Sequence, residues 1–469
     1  MSIGDIIMKE QSKVFYKECI QIALPIAIQS LFQSSLGIID QMMVGSLGSI
    51  SIAGIGLGSK FASLFTVTVT ALCMGAGILM AQYYGAKENN GLCHSFSINM
   101  LLGIGISIVF TVLSLGLPNE LMGLYSKEIS VIEASSQYLR ILAISFMPLT
   151  ITLMFSTLLR SIGEVKLPMY ASICSVIVNT GLNYILIYGK LGSPVLGIKG
   201  AAIATTLARS IEMLILLVAF MKVRHTGQLQ LKWALPKEIT FVRKAWHIIY
   251  PIVICEFLWG LGENIYASIY GRLGTVSCAA MTLTGPIQSI VMGILSGIAT
   301  ATGIMIGKRL GAGEIEEAYE GGKCFMKLGI LGALVFSFLV VVIAPFYSQI
   351  FHVETEVREV TIRLLNYYAI FIPVKVFNMV AEGGILRSGG KTYYTLIIDS
   401  IGTWGIGIPL GLIAAYVLKL PIEQVYFMLS LEEVVRLIIT LVLFKQRKWM
   451  NCLTYTAQKK VRQEQNYQV

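Results

Sequence analysis

A soluble chain of 469 residues would divide into about three domains, but 55% of the residues are hydrophobic, 13% are charged and the mean hydropathy is +0.74. Soluble domains carry about 25% charged residues, so the composition excludes them and predicts an all-α integral membrane protein. The formal charge of +10 would suit a nucleic-acid partner, except that the basic residues lie in short loops between apolar runs, where the positive-inside rule accounts for them; no nucleic-acid binding is expected.

Lys9, Lys13 and Lys17 precede the first apolar run, which continues for over 20 residues without a small-residue cleavage site. It reads as a first span rather than a signal peptide. Runs long enough to cross about 30 Å of hydrocarbon predict helices over 20–44, 51–83, 92–117, 131–156, 167–189, 197–222, 245–270, 277–307, 322–347, 357–384, 392–417 and 424–445. They number twelve, six per half, and the short alternating segments of a membrane barrel are missing. The expected division is an N-terminal segment over 1–19, a first lobe of six helices over 20–222, a basic linker with Pro236 over 223–244, a second lobe of six helices over 245–445, and a polar, mobile tail over 446–469. Lys and Arg number 23 in the termini, the linker and the alternate loops on that side, against 6 in the opposite loops (Lys127, Lys190, Lys199, Arg272, Arg358 and Lys419). The excess predicts a multi-pass protein of the cell membrane with both termini and the linker cytoplasmic.

Residues 22–110 return 226 positions later without a gap. Pro25 recurs as Pro251, Gly45 as Gly271, Leu47-Gly48 as Leu273-Gly274 and Gly85-Ala86 as Gly311-Ala312. Leu159-Arg160-Ser161 is echoed by Leu386-Arg387-Ser388 at a separation of 227, so each half takes part over its whole length. An even number of spans per repeat makes two pseudo-symmetric six-helix bundles facing the same way, related by an axis along the membrane normal, which is the signature of a duplicated transporter.

Ionisable groups within spans are informative, because a charge in hydrocarbon is costly and normally faces a cavity or a partner. Asp40 lies late in the first span, between Gly37 and Gly45. A carboxylate desolvated there can alternate between a protonated and a charged or cation-bound form, as ion coupling requires; the plainer reading is a helix-end residue near the outer surface. Asn179 and Asn183 are four apart on the fifth span and share a face. With Thr205 on the sixth they offer neutral oxygens to a cation or a proton relay beside Asp40, or else join helices by ordinary hydrogen bonds.

In the second half Glu256 and Glu263 lie seven apart on one face of the seventh span, with Glu382 on the tenth and Asp399 on the eleventh. None aligns with a polar residue of the first half; Asp40 corresponds instead to Tyr266, so the lobes have diverged chemically. Lys375 is placed to neutralise one of these acids. Glu432 and Glu433 with Arg436, and Arg209 with Glu212, have ion-pair spacing within a helix and read as structural. Trp259, Tyr266 and the 20 Met suit a cavity for flat apolar cations, whose charge ring faces attract, although at helical spacing such residues more often serve packing.

The eight cysteines show no CxxC or Cys/His spacing, and His94, His225, His247 and His352 sit at span ends or in loops, so neither a zinc site nor a cofactor is expected. The Gly54-Ile55-Gly56-Leu57-Gly58 run lies within a span and suits close helix packing rather than a nucleotide. Loops too short for a catalytic domain, with no nucleophile and base among them, argue against an enzyme.

With its duplicated Pro25 and Asp40-to-Gly48 segments, the Gly85-Ala86 and Gly311-Ala312 helix ends, Leu159-Arg160-Ser161-Ile162-Gly163 with Leu386-Arg387-Ser388-Gly389-Gly390, and Gly197-Ile198-Lys199-Gly200 running to Thr205, the chain resembles the multidrug and toxic compound extrusion (MATE) family over about 18–445. The resemblance implies a V-shaped pair of bundles, monomeric and surrounded by membrane lipid. Such a protein exports small amphipathic organic cations in exchange for inward H+ or Na+ by alternating access, with no cofactor beyond the coupling ion. It implies that Asp40 is the family's acidic residue of the first helix and Asn179 its asparagine of the fifth, the two that would hold Na+. Asn183 stands where several members have Asp, and Glu256 and Glu263 lie near the helix-7 glutamate of some members. The alternative is a lipid-linked oligosaccharide flippase of the same superfamily, which would show a more basic central cavity.

Overall fold

A computed structural model describes residues 3–45, 47–225, 231–236, 238–351, 353–454 and 458–459. His352, and Lys237, Lys460 and Arg462 among the 23 basic residues counted on the expected cytoplasmic side, lie outside them, as do the side chains of Lys9 and Lys13. Among the described residues every regular element is a helix.

In chain order the first half forms α1 (Ile3–Gly45), α2 (Ser49–Gly85), α3 (Asn89–Gly116), a short α4 (Pro118–Gly123), α5 (Ile129–Ala143), α6 (Phe146–Ile162), α7 (Lys166–Tyr188) and α8 (Gly197–His225). The second half forms α9 (Ile239–Arg272), α10 (Thr275–Gly311), α11 (Ile315–Gln349), α12 (Thr355–Asn378), α13 (Tyr393–Asp399), α14 (Ile408–Leu412) and α15 (Ile422–Lys445). Wider π-helical turns at Met379–Leu386, Ser400–Gly407 and Ile413–Val417 continue α12, α13 and α14. Ten of the resulting helices are long and apolar enough to cross a membrane as they stand.

Two expected spans depart from that simple form. The fourth is broken: α5 and α6 meet at 48° across Ile144 and Ser145. Pro148 has no N–H to donate to the Ile144 carbonyl, which removes a helix bond at the bend. There Ser145 Oγ donates to the Leu142 carbonyl (2.6 Å) and accepts from Arg209 Nη1 (3.0 Å). Arg209 thus serves the bend, and no ion pair with Glu212 forms among the described residues. The twelfth, α15, carries Glu423, Glu432, Glu433 and Arg436, more charge than a lipid-facing span tolerates.

The chain divides into two compact units, one of Leu31–Met80 and Glu88–Trp246, the other of Met1–Ser30, Ala81–Lys87 and His247–Val469. In the first-half unit α7 lies along α8, and α6 packs between α3 and α8. Phe65 stacks on Phe146 (centroids 4.3 Å apart) and meets Phe110 in its core. In the second-half unit α12 packs against α10, α11 and α15. Tyr319, Phe444 and Trp449 form a stack at its base, with centroids 4.8 and 5.8 Å apart.

Trp449 belongs to the tail expected to be mobile over 446–469, and the structure differs there. Trp449 and Thr454 are fully buried, and Cys452 and Leu453 nearly so. Gln82, at the end of α2, ties the segment down. Its Nε2 donates to the carbonyls of Ser388 (2.7 Å) and Asn451 (3.2 Å), and its Oε1 accepts from the Leu453 N–H (2.8 Å). A polar composition did not reveal the segment because one buried tryptophan and two backbone bonds to Gln82 hold it.

Candidate functional site

In the first-half unit, α1 carries Asp40 into contact with α7. Asn183 Nδ2 donates to Asp40 Oδ1 at 2.7 Å. The oxygen and nitrogen of the Asn179 amide, one turn away, are alike in shape, and partners exist for either placement. In one its oxygen accepts from Asn183 Nδ2 (3.1 Å) and its nitrogen donates to Thr205 Oγ1 (3.4 Å). In the other its nitrogen donates to Asp40 Oδ1 (3.1 Å) and its oxygen accepts from the Thr205 N–H (3.3 Å). The structure therefore brings Asp40, Asn179, Asn183 and Thr205 together, because the i, i+4 spacing puts both amides on one face of α7. Asn183 is 3% exposed and its Oδ1 has no hydrogen-bond partner. A buried acceptor without a donor is unfavourable, so a carboxylate, an orphaned amide oxygen, a second amide and a hydroxyl fit a monovalent cation or a proton.

The second-half unit contains a cavity of about 540 Å³. Glu256, Trp259, Glu263, Tyr266, Glu382 and Asp399, the second-half candidates, all line it. So do Lys375, Arg387, Glu432, Glu433 and Arg436, giving six carboxylates against three cations. Sequence reasoning used Arg387 only as a repeat marker and read the α15 charges as structural. For Arg436 the available signal was the cost of placing an arginine in the middle of a span; Arg387 falls beyond the end of its predicted span and gave no such signal.

The cations are shared unevenly among the acids. Arg387 Nη1 lies 3.1 Å from Glu256 Oε1, and its Nη2 lies 4.0 Å from Asp399 Oδ2. Arg436 Nη1 is 2.7 Å from Asp399 Oδ1, and the same guanidinium donates to Thr403 Oγ1. The expected pairing of Arg436 with Glu432 across one turn forms only at 3.8 Å. Lys375 takes Glu433 at 3.9 Å, and Asn378 Nδ2 donates to the same carboxylate at 2.8 Å.

Glu263 and Glu382 form no ion pair among the described residues. Glu382 is 5% exposed and its Oε1 has no hydrogen-bond partner. It sits in the π-helical turn Met379–Leu386, where the extra residue per turn shifts side chains off the α-helical faces; such turns recur at functional sites. Among the described residues no group of His, Cys, Asp and Glu has the arrangement of a metal cluster.

The family model for MatE matches residues 25–185 and 251–413, once in each half. The chain is 25% identical over 454 residues to a protein of Thermotoga maritima named probable multidrug resistance protein NorM, covering 94% of each. Among solved structures it is similar to a mutant of the Vibrio cholerae MATE transporter VcmN, with a TM-score of 0.84 at 20% identity over 92% of this chain and 97% of that one. A transporter of the MOP superfamily from Pyrococcus furiosus, described as having a binding pocket of reverse polarity, gives a TM-score of 0.84 at 19% identity over 92% and 95%. A single family description thus accounts for both copies of the repeat and most of the chain between Pro25 and Ile413, and the protein belongs to the MatE family, the multidrug and toxic compound extrusion efflux transporters of the membrane.

Proposed function

We propose that this protein is a secondary active antiporter that exports small amphipathic organic cations in exchange for inward H+ or Na+ by alternating access. It does so as a monomer of the cell membrane with both termini cytoplasmic, and it catalyses no covalent chemistry. The observation that carries this reading is the charge of the second-half cavity, where six carboxylates face three cations and the buried Glu382 forms no close ion pair and leaves its Oε1 without a hydrogen-bond partner. A desolvated carboxylate without a counter-ion is strongly unfavourable, and a proton, a metal cation or a cationic cargo relieves it. Trp259, Tyr270 and Tyr368 add ring faces that attract a delocalised positive charge, and Met281, Met292 and Met379 add adaptable apolar wall.

In this reading Asp40, Asn179, Asn183 and Thr205 take the coupling ion, as a proton on Asp40 or as Na+ held by Asp40 and Asn179. Coupling is reciprocal: if ion and cargo favour different states, each weakens the other by the same factor. An inward monovalent ion gains about 2.3 kcal/mol per 100 mV, and outward export of a monovalent cation costs the same, so a one-for-one exchange is driven by the ion's concentration gradient and the membrane potential contributes only when more than one ion enters per cargo. A lipid-linked oligosaccharide flippase would need the opposite charge balance for an anionic headgroup, so the carboxylate excess favours the cation exporter. The test is efflux of ethidium from proteoliposomes under separately imposed pH and Na+ gradients; the absence of gradient-driven efflux under both would overturn the proposal.

A further inference from the structure

The two halves are related by 226 residues in their early helices, and by 227 at Leu159-Arg160-Ser161 and again at Arg209 and Arg436. Those offsets carry Asp40 to Tyr266, Thr205 to Glu432 and Arg209 to Arg436. In the first half the carboxylate sits on α1 and the hydroxyl on α8, bridged by the amides of α7. In the second half the hydroxyl sits on α9 and the carboxylate on α15, and the two meet directly: Tyr266 Oη donates to Glu432 Oε2 at 2.5 Å. The bridge is replaced by Gly407, where a Cβ would strike both the Tyr266 hydroxyl and the Glu432 carboxylate. The acid and the hydroxyl have exchanged helices while the helix pair that holds them is the same.

We propose that Glu432 is the proton-exchanging carboxylate of the second half, the counterpart of Asp40, with Tyr266 as its positioning residue. The inference rests on the antiport reading above and assigns a residue to it. Glu432 lines the cavity, and the buried, partnerless Oε1 of Glu382 on the same cavity is an independent sign that a cation or proton belongs there.

The surrounding groups leave Glu432 without a close cation. Arg436, on its own helix, spends its short contacts on Asp399 of α13 and on Thr403. Lys375 of α12 goes to Glu433. Of the other ionisable groups lining the cavity, Arg387 is held by Glu256, and Glu263, Tyr270, Tyr368, Glu382 and Tyr426 are carboxyl or phenol groups. The strongest partner of Glu432 is therefore a neutral hydroxyl, in contrast to Glu256 and Asp399, each of which has an arginine within 3.1 Å. A proton adding to Oε1 loosens only the 3.8 Å contact with Arg436, while Tyr266 keeps donating to Oε2. Protonation and release then leave every close hydrogen bond in place, which suits a group that must cycle.

The test is ethidium efflux driven by an imposed pH gradient in proteoliposomes, with the pH dependence of ethidium binding to the purified protein measured alongside. Glu432→Gln should lower driven efflux about tenfold or more and remove part of the pH dependence of binding, and Glu432→Asp should restore both. Wild-type efflux rate and pH midpoint in Glu432→Gln would overturn the assignment. Wild-type protein that shows no gradient-driven efflux would instead refute the antiport reading itself. If Glu432→Gln does not give monodisperse protein, Tyr266→Phe keeps the carboxylate and removes its donor; it should displace the pH midpoint, and an unmoved midpoint overturns the proposal.

Discussion

Gly85 and Gly311 close on each other's helices reciprocally: a Cβ on Gly85 would strike the backbone of Lys308, and one on Gly311 would strike the backbone of Gln82. The glycines are 226 residues apart, and so are Gln82 and Lys308. The contact is its own repeat partner, lying where the ends of α2 and α10 meet in the second-half unit. The duplicated Gly-Ala pair therefore marks a place where two backbones touch, which only the absence of a side chain allows.

Gly311→Val should accordingly destabilise the protein by about 3 kcal/mol, the upper range for forcing atoms into a filled site. Gly105→Ala in α3 is the control, because nothing lies within 4 Å of its would-be Cβ. Thermal midpoints in detergent, followed by size exclusion, give the comparison, and an equal effect of the two substitutions would refute the packing account.

Gln82→Ala should release the segment around Trp449. It strips partners from the Ser388 and Asn451 carbonyls and the Leu453 N–H, at about 1–3 kcal/mol for buried groups left unsatisfied. Cys452 reports the release. Burial pushes its thiol pKa up, so at neutral pH less of it is the reactive thiolate, and reaction quickens as pH rises. With the other seven cysteines replaced, maleimide should label Cys452 slowly in the parent and faster with Gln82→Ala; equal rates would show that Gln82 does not hold the segment.

Asp40→Asn should bring gradient-driven efflux of ethidium to background while the protein still inserts and purifies as a single species. The substitution keeps the shape that accepts from Asn183 at 2.7 Å but removes the charge that takes up a proton or cation. Efflux in energised vesicles at the parental rate would exclude Asp40 as the coupling residue.

Asn183→Asp should introduce or strengthen Na+ dependence. It sets a second carboxylate where the present donor lies 2.7 Å from Asp40 Oδ1, and two carboxylates that close are relieved by a shared proton or a bound cation. Na+ at ten times its Kd then stabilises the variant by about 1.4 kcal/mol. The thermal midpoint with Na+ against an organic counter-cation measures this, and equal midpoints would count against a cation site at Asp40.

The spans and the duplication were legible in the sequence because both are properties of local composition. A run of about 20 apolar residues has no stable place except across hydrocarbon, and a repeat needs only comparison of the chain with itself. The ends of α7 and α10 fall within a few residues of where hydropathy puts them. The face shared by Asn179 and Asn183 was equally readable, since i and i+4 always meet on a helix.

Which helix that face meets was not. Asp40 and Asn183 are 143 positions apart, Arg387 and Glu256 131, and Tyr266 and Glu432 166. Such pairings depend on the rotation and register of packed helices, which periodicity within one helix does not encode. The π-helical turn that carries Glu382 into the cavity and the burial of Trp449 belong to the same class. Composition and repetition determined that this chain crosses the membrane as two copies of one bundle. Tertiary packing decided which of its acids are held by arginine and which are left to a phenol or to nothing, because a buried charge is neutralised by whatever group the fold brings within a few ångströms.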